Sequence, residues 1–235
     1  MTGSLVSSGM RARVRGMAEP VARGFGRLGL TPNHLTFIGF GIACVAAVAA
    51  AQQEWLAAGL LALFGGVFDL FDGALARATN KVSKLGAFYD SVFDRWGEGV
   101  VYVGNAWGCV ASGFGEGAVL TAAAMTAAVM VSYVRAKSES LGYTPGSRMA
   151  SIGLAPREVR IAILTVGLLI VGLTGRIGPT HWACPPDLMI YSCVPADWFV
   201  AGDIVLGGTL GLIAILATIT TIQRILHVRA QAREG

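Results

Sequence analysis

The chain has 235 residues, of which 54% are hydrophobic and only 14% charged, and its mean hydropathy is +0.62. Soluble domains carry roughly a quarter charged residues. This composition therefore excludes a domain coated for water on every side, and it excludes disorder and a disulfide scaffold, since only 4 residues are cysteine. The net charge of +4 points to anionic lipid surfaces or anionic substrates, and no basic tract with interleaved aromatics argues for nucleic acid.

The expected architecture is an all-α integral membrane protein. Residues 1–33 form a basic N-terminal segment, 34–226 a six-helix membrane domain and 227–235 a short tail. Residues 5–28 mix Leu, Val, Met and Phe with five arginines, which suits an amphipathic helix in the interface plane, interrupted near Pro20; the alternative is an unstructured basic tail. A full-length apolar stretch follows, and no small-residue cleavage site stands out, so no cleaved signal is expected. A spanning helix needs about 20 mainly apolar residues. Six stretches qualify: 34–53, 56–76, 87–111 (polar at its start, apolar from Val100), 117–137, about 157–174 and about 199–226.

Basic residues alternate across these stretches. Arg11, Arg13, Arg15, Arg23 and Arg27 precede the first. Arg77, Lys81 and Lys84 follow the second, and Arg135, Lys137, Arg148, Arg157 and Arg160 surround the link from fourth to fifth. The opposite connections hold only Arg176. The positive-inside rule then places both termini in the cytoplasm of a multi-pass plasma-membrane protein. In the outer connection 175–198, Cys184 and Cys193 could pair or stay free; Cys44 and Cys109 lie in apolar stretches and read as packing residues.

The exceptional segment is 64–99. Asp69 and Asp72 stand three apart near the end of the second stretch, and Asp90 and Asp94 four apart near the start of the third. Each pair shares one helix face. The link 77–86 is short, which predicts neighbouring antiparallel helices and a meeting of the two faces. One Asp at mid-span costs about 2.5–3.5 kcal/mol on insertion scales, and four also repel. Arg77 offsets one charge. Divalent cations, which prefer carboxylate oxygens, would offset the rest, and a close ion pair would need shared carboxylates. A hydrated acidic vestibule and a cation pathway are the alternatives. Gly73 and Gly86 permit close approach of a ligand or of another helix.

The run Asp69-Leu-Phe-Asp72-Gly73-Ala-Leu-Ala76-Arg77, then Gly86, Asp90 and Asp94, resembles the signature of the CDP-alcohol phosphotransferase family at all eight of its fixed positions over residues 69–94. The resemblance extends to the six-helix layout and the basic N-terminal segment. It implies an enzyme that moves a substituted phosphate from a CDP-linked donor to an alcohol and releases CMP. It implies that Asp69, Asp72 and Asp90 hold two Mg²⁺ or Mn²⁺ ions, that Asp94 lies close to the metals and is the general base, and that Gly73, Arg77 and Gly86 help hold the nucleotide. Asn33 and Thr36, in Leu30-Thr31-Pro32-Asn33-His34-Leu35-Thr36, resemble the family's nucleotide border and also suit a helix start. A homodimer is expected on the same resemblance. The glycines at 207, 208 and 211 are compatible with tight helix contacts.

The acceptor is read from other residues. Ser132-Tyr133-Val134-Arg135-Ala136-Lys137-Ser138-Glu139 resembles a segment of phosphatidylinositol-phosphate synthases with Arg and Lys exchanged, and Arg157-Glu158-Val159-Arg160 resembles their paired arginines. This resemblance implies that Arg135, Lys137, Arg157 and Arg160 hold the acceptor's phosphate, by charge and by bidentate contacts. Inositol 1-phosphate is the expected acceptor and CDP-diacylglycerol the expected donor, with a CDP-linked archaeal-type lipid as the alternative donor. Because Arg and Lys are not equivalent at a bidentate site, glycerol 3-phosphate is the rival acceptor, as in a phosphatidylglycerophosphate synthase. A membrane prenyltransferase and a cation transporter are rivals of other kinds, and CMP release separates both from the main reading.

Overall fold

In the computed structural model, helix α1 spans Pro32–Ala51, α2 Trp55–Ala78, α3 Lys84–Ala111, α4 Gly115–Ser140, α5 Arg157–Thr174 and α6 Ala201–Glu234. The structure describes residues 20–22, 24–79, 81–143, 152–174, 177–178, 182–183, 194–195 and 201–234. Most of the expected interfacial helix, Cys184 and Cys193 lie outside these residues. A two-residue antiparallel pairing of β1 (Trp182–Ala183) with β2 (Val194–Pro195) is the strand structure among them.

Local chemistry sets the helix starts. Thr31 caps α1 by accepting from the His34 amide while His34 Nδ1 accepts from the Thr31 amide, and Pro32 occupies the first turn, where its missing N–H costs nothing. Ser83 caps α3 by accepting from the Gly86 amide at 3.0 Å. Tail residues 227–234 continue α6, because neither Gly nor Pro interrupts the chain between Gly211 and Gly235. Four helices, α1, α2, α4 and α6, are long and apolar enough to cross a membrane. The other two carry charge at their starts: Lys84, Asp90, Asp94, Arg95 and Glu98 in α3, and Arg157, Glu158 and Arg160 in α5.

The helices form a ring in the order α1, α2, α5, α6, α4, α3, closing on α1. This differs from the expected direct packing of α2 on α3. Those consecutive helices barely touch, because α1 wedges against both and leaves a gap between their acidic faces. The wedge is tight. A Cβ at Gly104 or Gly108 of α3 would run into the backbone of Ala47 or Ala50 on α1, so these two glycines bring the axes close. Nearer the acids, Phe37 and Phe40 of α1 pack edge-on against Phe93 of α3, with ring centroids 4.9 and 5.1 Å apart. The main core joins Trp55, Tyr102, Leu168, Leu206, Leu210 and Ile213.

Helical residues 20–22 and 24–27 dock on the end of α2. Ala22 is buried with Leu35, Ala74 and Leu75, and Phe25 lies 5.6 Å from Phe71 between ring centroids. At the opposite end, Asp203 at the start of α6 accepts from the Gly178 amide at 2.8 Å. Gly178 has φ +85°, and a side chain there would collide with Ser112. This accounts for an acid that the sequence alone leaves unexplained.

Candidate active site

Successive helices alternate in direction along the chain, which places the C-terminal ends of α2 and α4 at the same end of the bundle as the N-terminal ends of α1, α3 and α5. The four aspartates therefore gather at one end of the bundle, around the gap between α2 and α3. Two cavities meet there. One, of about 310 Å³, is lined by Asn33, Thr36, Asp72, Gly73, Arg77, Lys81, Ser83, Gly86 and Asp90. The second is tighter, about 50 Å³, and is lined by Thr36, Gly39, Asp69, Phe93, Asp94, Glu98 and Arg157. Thr36 borders both, and the four acids divide two and two.

In the larger cavity, all five residues expected at the nucleotide (Asn33, Thr36, Gly73, Arg77 and Gly86) lie together with two of the acids. Asp72 is buried. Its carboxylate accepts from the Thr36 hydroxyl at 2.9 Å and from the Gly73 amide. A Cβ at Gly73 would press on the Arg77 guanidinium at 3.3 Å. One at Gly86 would press on Ser83 Oγ at 3.1 Å and Asn33 Oδ1 at 3.4 Å. Both glycines thus keep the cavity wall thin where polar groups converge.

In the tighter cavity, the dominant feature is Arg157. Its Nη2 donates to Asp69 Oδ2 at 2.6 Å, and its Nη1 lies 3.0 Å from Asp94 Oδ1. One guanidinium fork therefore joins α2, α5 and α3. Arg95 Nη1 adds a longer approach of 3.7 Å to Asp94 Oδ2 and also donates to the Ser91 carbonyl. Gly39 of α1 faces Asp69: an added Cβ would sit 3.2 Å from its carboxylate.

The expected four-cation acceptor pocket is not assembled in that form. Only Arg157 reaches the acids. Arg160 is fully buried, with Nε and Nη2 donating to the two oxygens of Glu98 at 2.8 and 2.7 Å and Nη1 donating to the Ala155 carbonyl at 3.0 Å. A buried guanidinium demands a carboxylate, and Glu98 provides it. Arg135 pairs with Glu139 on its own helix at 2.9 Å and lines a separate groove with Arg95, Ser132 and Tyr133. Lys137 is exposed and lines neither cavity. Sequence reasoning missed Arg157 as a direct partner of the acids, and it missed Gly39, Arg95 and the Glu98–Arg160 pair. Glu98 does carry a signal, standing one turn beyond Asp94 on the same face.

The donor set is four carboxylates, the hard-oxygen chemistry suited to Mg²⁺ or Mn²⁺. Among the described residues no three acids converge closely enough to hold an ion. Instead, the Arg157 fork lies between Asp69 and Asp94 and supplies the positive charge there. The residue types fit the ions.

Known proteins resemble this chain in sequence and in overall fold. The sequence model of the CDP-alcohol phosphatidyltransferase family matches residues 29–219. The archaetidylinositol phosphate synthase of Pyrococcus horikoshii is 36% identical over 162 residues, 69% of this chain and 81% of that protein. The phosphatidylinositol phosphate synthase of Cutibacterium acnes is 36% identical over 182 residues, covering 74% and 83%. In fold, the chain resembles the phosphatidylinositol phosphate synthase of Mycobacterium tuberculosis with CDP-DAG bound. The TM-score is 0.68 at 24% identity, over 90% of this chain and 92% of that one. The same enzyme in complex with manganese and citrate gives a TM-score of 0.69. The match runs through both cavities and every aspartate between them: the chain belongs to the CDP-alcohol phosphatidyltransferase family.

Proposed function

We propose that this enzyme transfers a phosphatidyl group from CDP-diacylglycerol to inositol 1-phosphate, giving phosphatidylinositol phosphate and CMP. The observation that carries the reading is the pair of cavities meeting at the four aspartates. One is lined by the glycines, Asn33 and Arg77 suited to a nucleotide, and the other is bounded by Arg157. A donor in the first and an acceptor in the second would meet at the acids. The Pyrococcus and Cutibacterium relatives differ in lipid, but both of their names specify inositol phosphate.

In this reading Asp69, Asp72 and Asp90 would hold two Mg²⁺ or Mn²⁺ ions, with Asp94 close by. Such ions would supply charge neutralisation for the pyrophosphate and for the attacking and leaving oxygens. The protein's own groups do the rest. Thr36 and the Gly73 amide fix the Asp72 carboxylate through two hydrogen bonds. Asp94 takes the proton of the acceptor hydroxyl as general base. Arg157, once free of the acids, faces the acceptor's phosphate, with Arg95 and then Arg135 on its outer flank. The cavity wall of Phe40, Phe93 and Val101 limits water around the reacting groups.

All six helices span the membrane in this reading, with both termini and the site on the cytoplasmic side and residues 20–22 and 24–27 lying in the interface. Support comes from the cation bias: Arg77, Lys81, Lys84, Arg135, Lys137 and Arg157 all lie at the site end of the bundle. A homodimer belongs to the same reading, and Gly208 and Gly211 leave an open small-residue face on α6.

The test is CMP release by purified protein with CDP-diacylglycerol and Mg²⁺ or Mn²⁺, run in parallel with inositol 1-phosphate, glycerol 3-phosphate and free inositol. Turnover with inositol 1-phosphate is expected. Turnover with glycerol 3-phosphate alone would move the acceptor. No CMP with any of the three would remove the assignment.

A further inference from the structure

We infer that Glu98 and Arg160 form a positioning clamp that sets where Arg157 stands, and that Arg160 itself does not touch the acceptor. Helices α3 and α5 both start at the site end, run in the same direction and do not pack closely on each other. Two ionic rungs bridge them. The upper rung is Asp94–Arg157 at 3.0 Å, in side chains 15% and 21% exposed. The lower rung, one helical turn deeper, is Glu98–Arg160 at 2.7 Å, in side chains 6% and 0% exposed. Both oxygens of Glu98 are engaged, and Arg160 is also tied to Ala155, just ahead of α5. To reach a phosphate in the cavity, Arg160 would have to break both charge-assisted bonds and leave a buried carboxylate unpaired. Arg157 lies one turn above it on the same helix. The lower rung therefore fixes the spacing at which the upper guanidinium reaches Asp69 and Asp94.

The inference rests on the proposed reading only for the choice of acceptor. The kinetic arm uses whichever phosphorylated acceptor the wild-type enzyme turns over. The variants are E98M, R160M and the double variant E98M/R160M, which removes both charges and guards against misfolding from one unpaired buried ion. A true clamp makes the pair act as a unit. If each single variant lowers kcat/KM for the acceptor about tenfold, the double should fall no more than about threefold below the better single, since members of one network are not additive. In an R157Q background the lower-rung variants should change the acceptor KM by less than about twofold. Additive losses, with R160M raising the acceptor KM even beside E98M or R157Q, would instead place Arg160 on the acceptor. A second arm needs no acceptor. Mn²⁺ titration followed by electron paramagnetic resonance should show E98M/R160M shifting affinity in the same direction as R157Q, because both loosen Arg157 from the acids. A shift in R157Q with none in the double variant would overturn the clamp, whatever acceptor the enzyme proves to use.

Discussion

Arg157 and Asp69 stand 88 residues apart in sequence, and a guanidinium nitrogen of one lies 2.6 Å from a carboxylate oxygen of the other. The same fork holds Asp94. One cation thus bridges two of the four clustered acids, which couples the charge of the site to the position of α5.

Replacing Arg157 with Gln leaves Asp69 and Asp94 without that cation. Mn²⁺ should then bind more tightly, because no fixed charge competes for their oxygens. The apparent KM for the phosphorylated acceptor should rise at least about tenfold, the loss of one charge-assisted contact, while the KM for the CDP-lipid changes little. Electron paramagnetic resonance titration and two-substrate kinetics check the two halves. Equal effects on both substrates would count against Arg157 as the acceptor's partner.

Asp94→Asn keeps the shape of the side chain and removes its basicity. Turnover should fall at least about 100-fold, the lower end of what general bases contribute. Thermal stability and CDP-lipid binding should be largely retained. Near-normal CMP release would remove Asp94 from the base role.

Thr36→Val removes the donor to Asp72 and keeps the volume. A hydrogen bond to a charged group is worth about 1.5–3 kcal/mol. The KM for the CDP-lipid should therefore rise about tenfold or more, with a smaller effect on the acceptor. Measured KM values for the two substrates decide it.

Gly108→Ala tests the wedge rather than the chemistry. Its Cβ has no room against Ala50 and Trp55. Overpacking of this kind typically costs about 1–3 kcal/mol, so the melting temperature in detergent should drop by several degrees. Gly41→Ala on α1, where nothing lies within 4 Å, is the control and should melt like wild type. Equal melting of the two variants would mean that α1 and α3 do not pack tightly at Gly108.

Much of this protein is readable along the chain. The apolar stretches mark the helices because a membrane-spanning or core helix must be apolar over its length, and Thr31, Ser83 and Pro32 mark starts because capping is local. The four aspartates are equally legible, since their spacings of three and four fall on one helix face. Asn33, Thr36, Gly73, Arg77 and Gly86 do share a cavity with two of them.

Tertiary structure decided the rest. The order of helices around the ring is set by which faces pack, and Gly104 and Gly108 admit α1 between α2 and α3 in a way that the short link 79–83 does not foretell. Arg157 and Arg160 look alike in sequence, three residues apart on one helix. The fold separates them, because a three-residue step turns the side chain and carries it one turn deeper. At the rim, Arg157 stays partly exposed and meets Asp69 and Asp94. Within the bundle, Arg160 is shut off from solvent and pairs with Glu98. Residue type and spacing follow from the sequence itself. Which carboxylate each arginine meets depends on burial, and burial is a property of the packed helices.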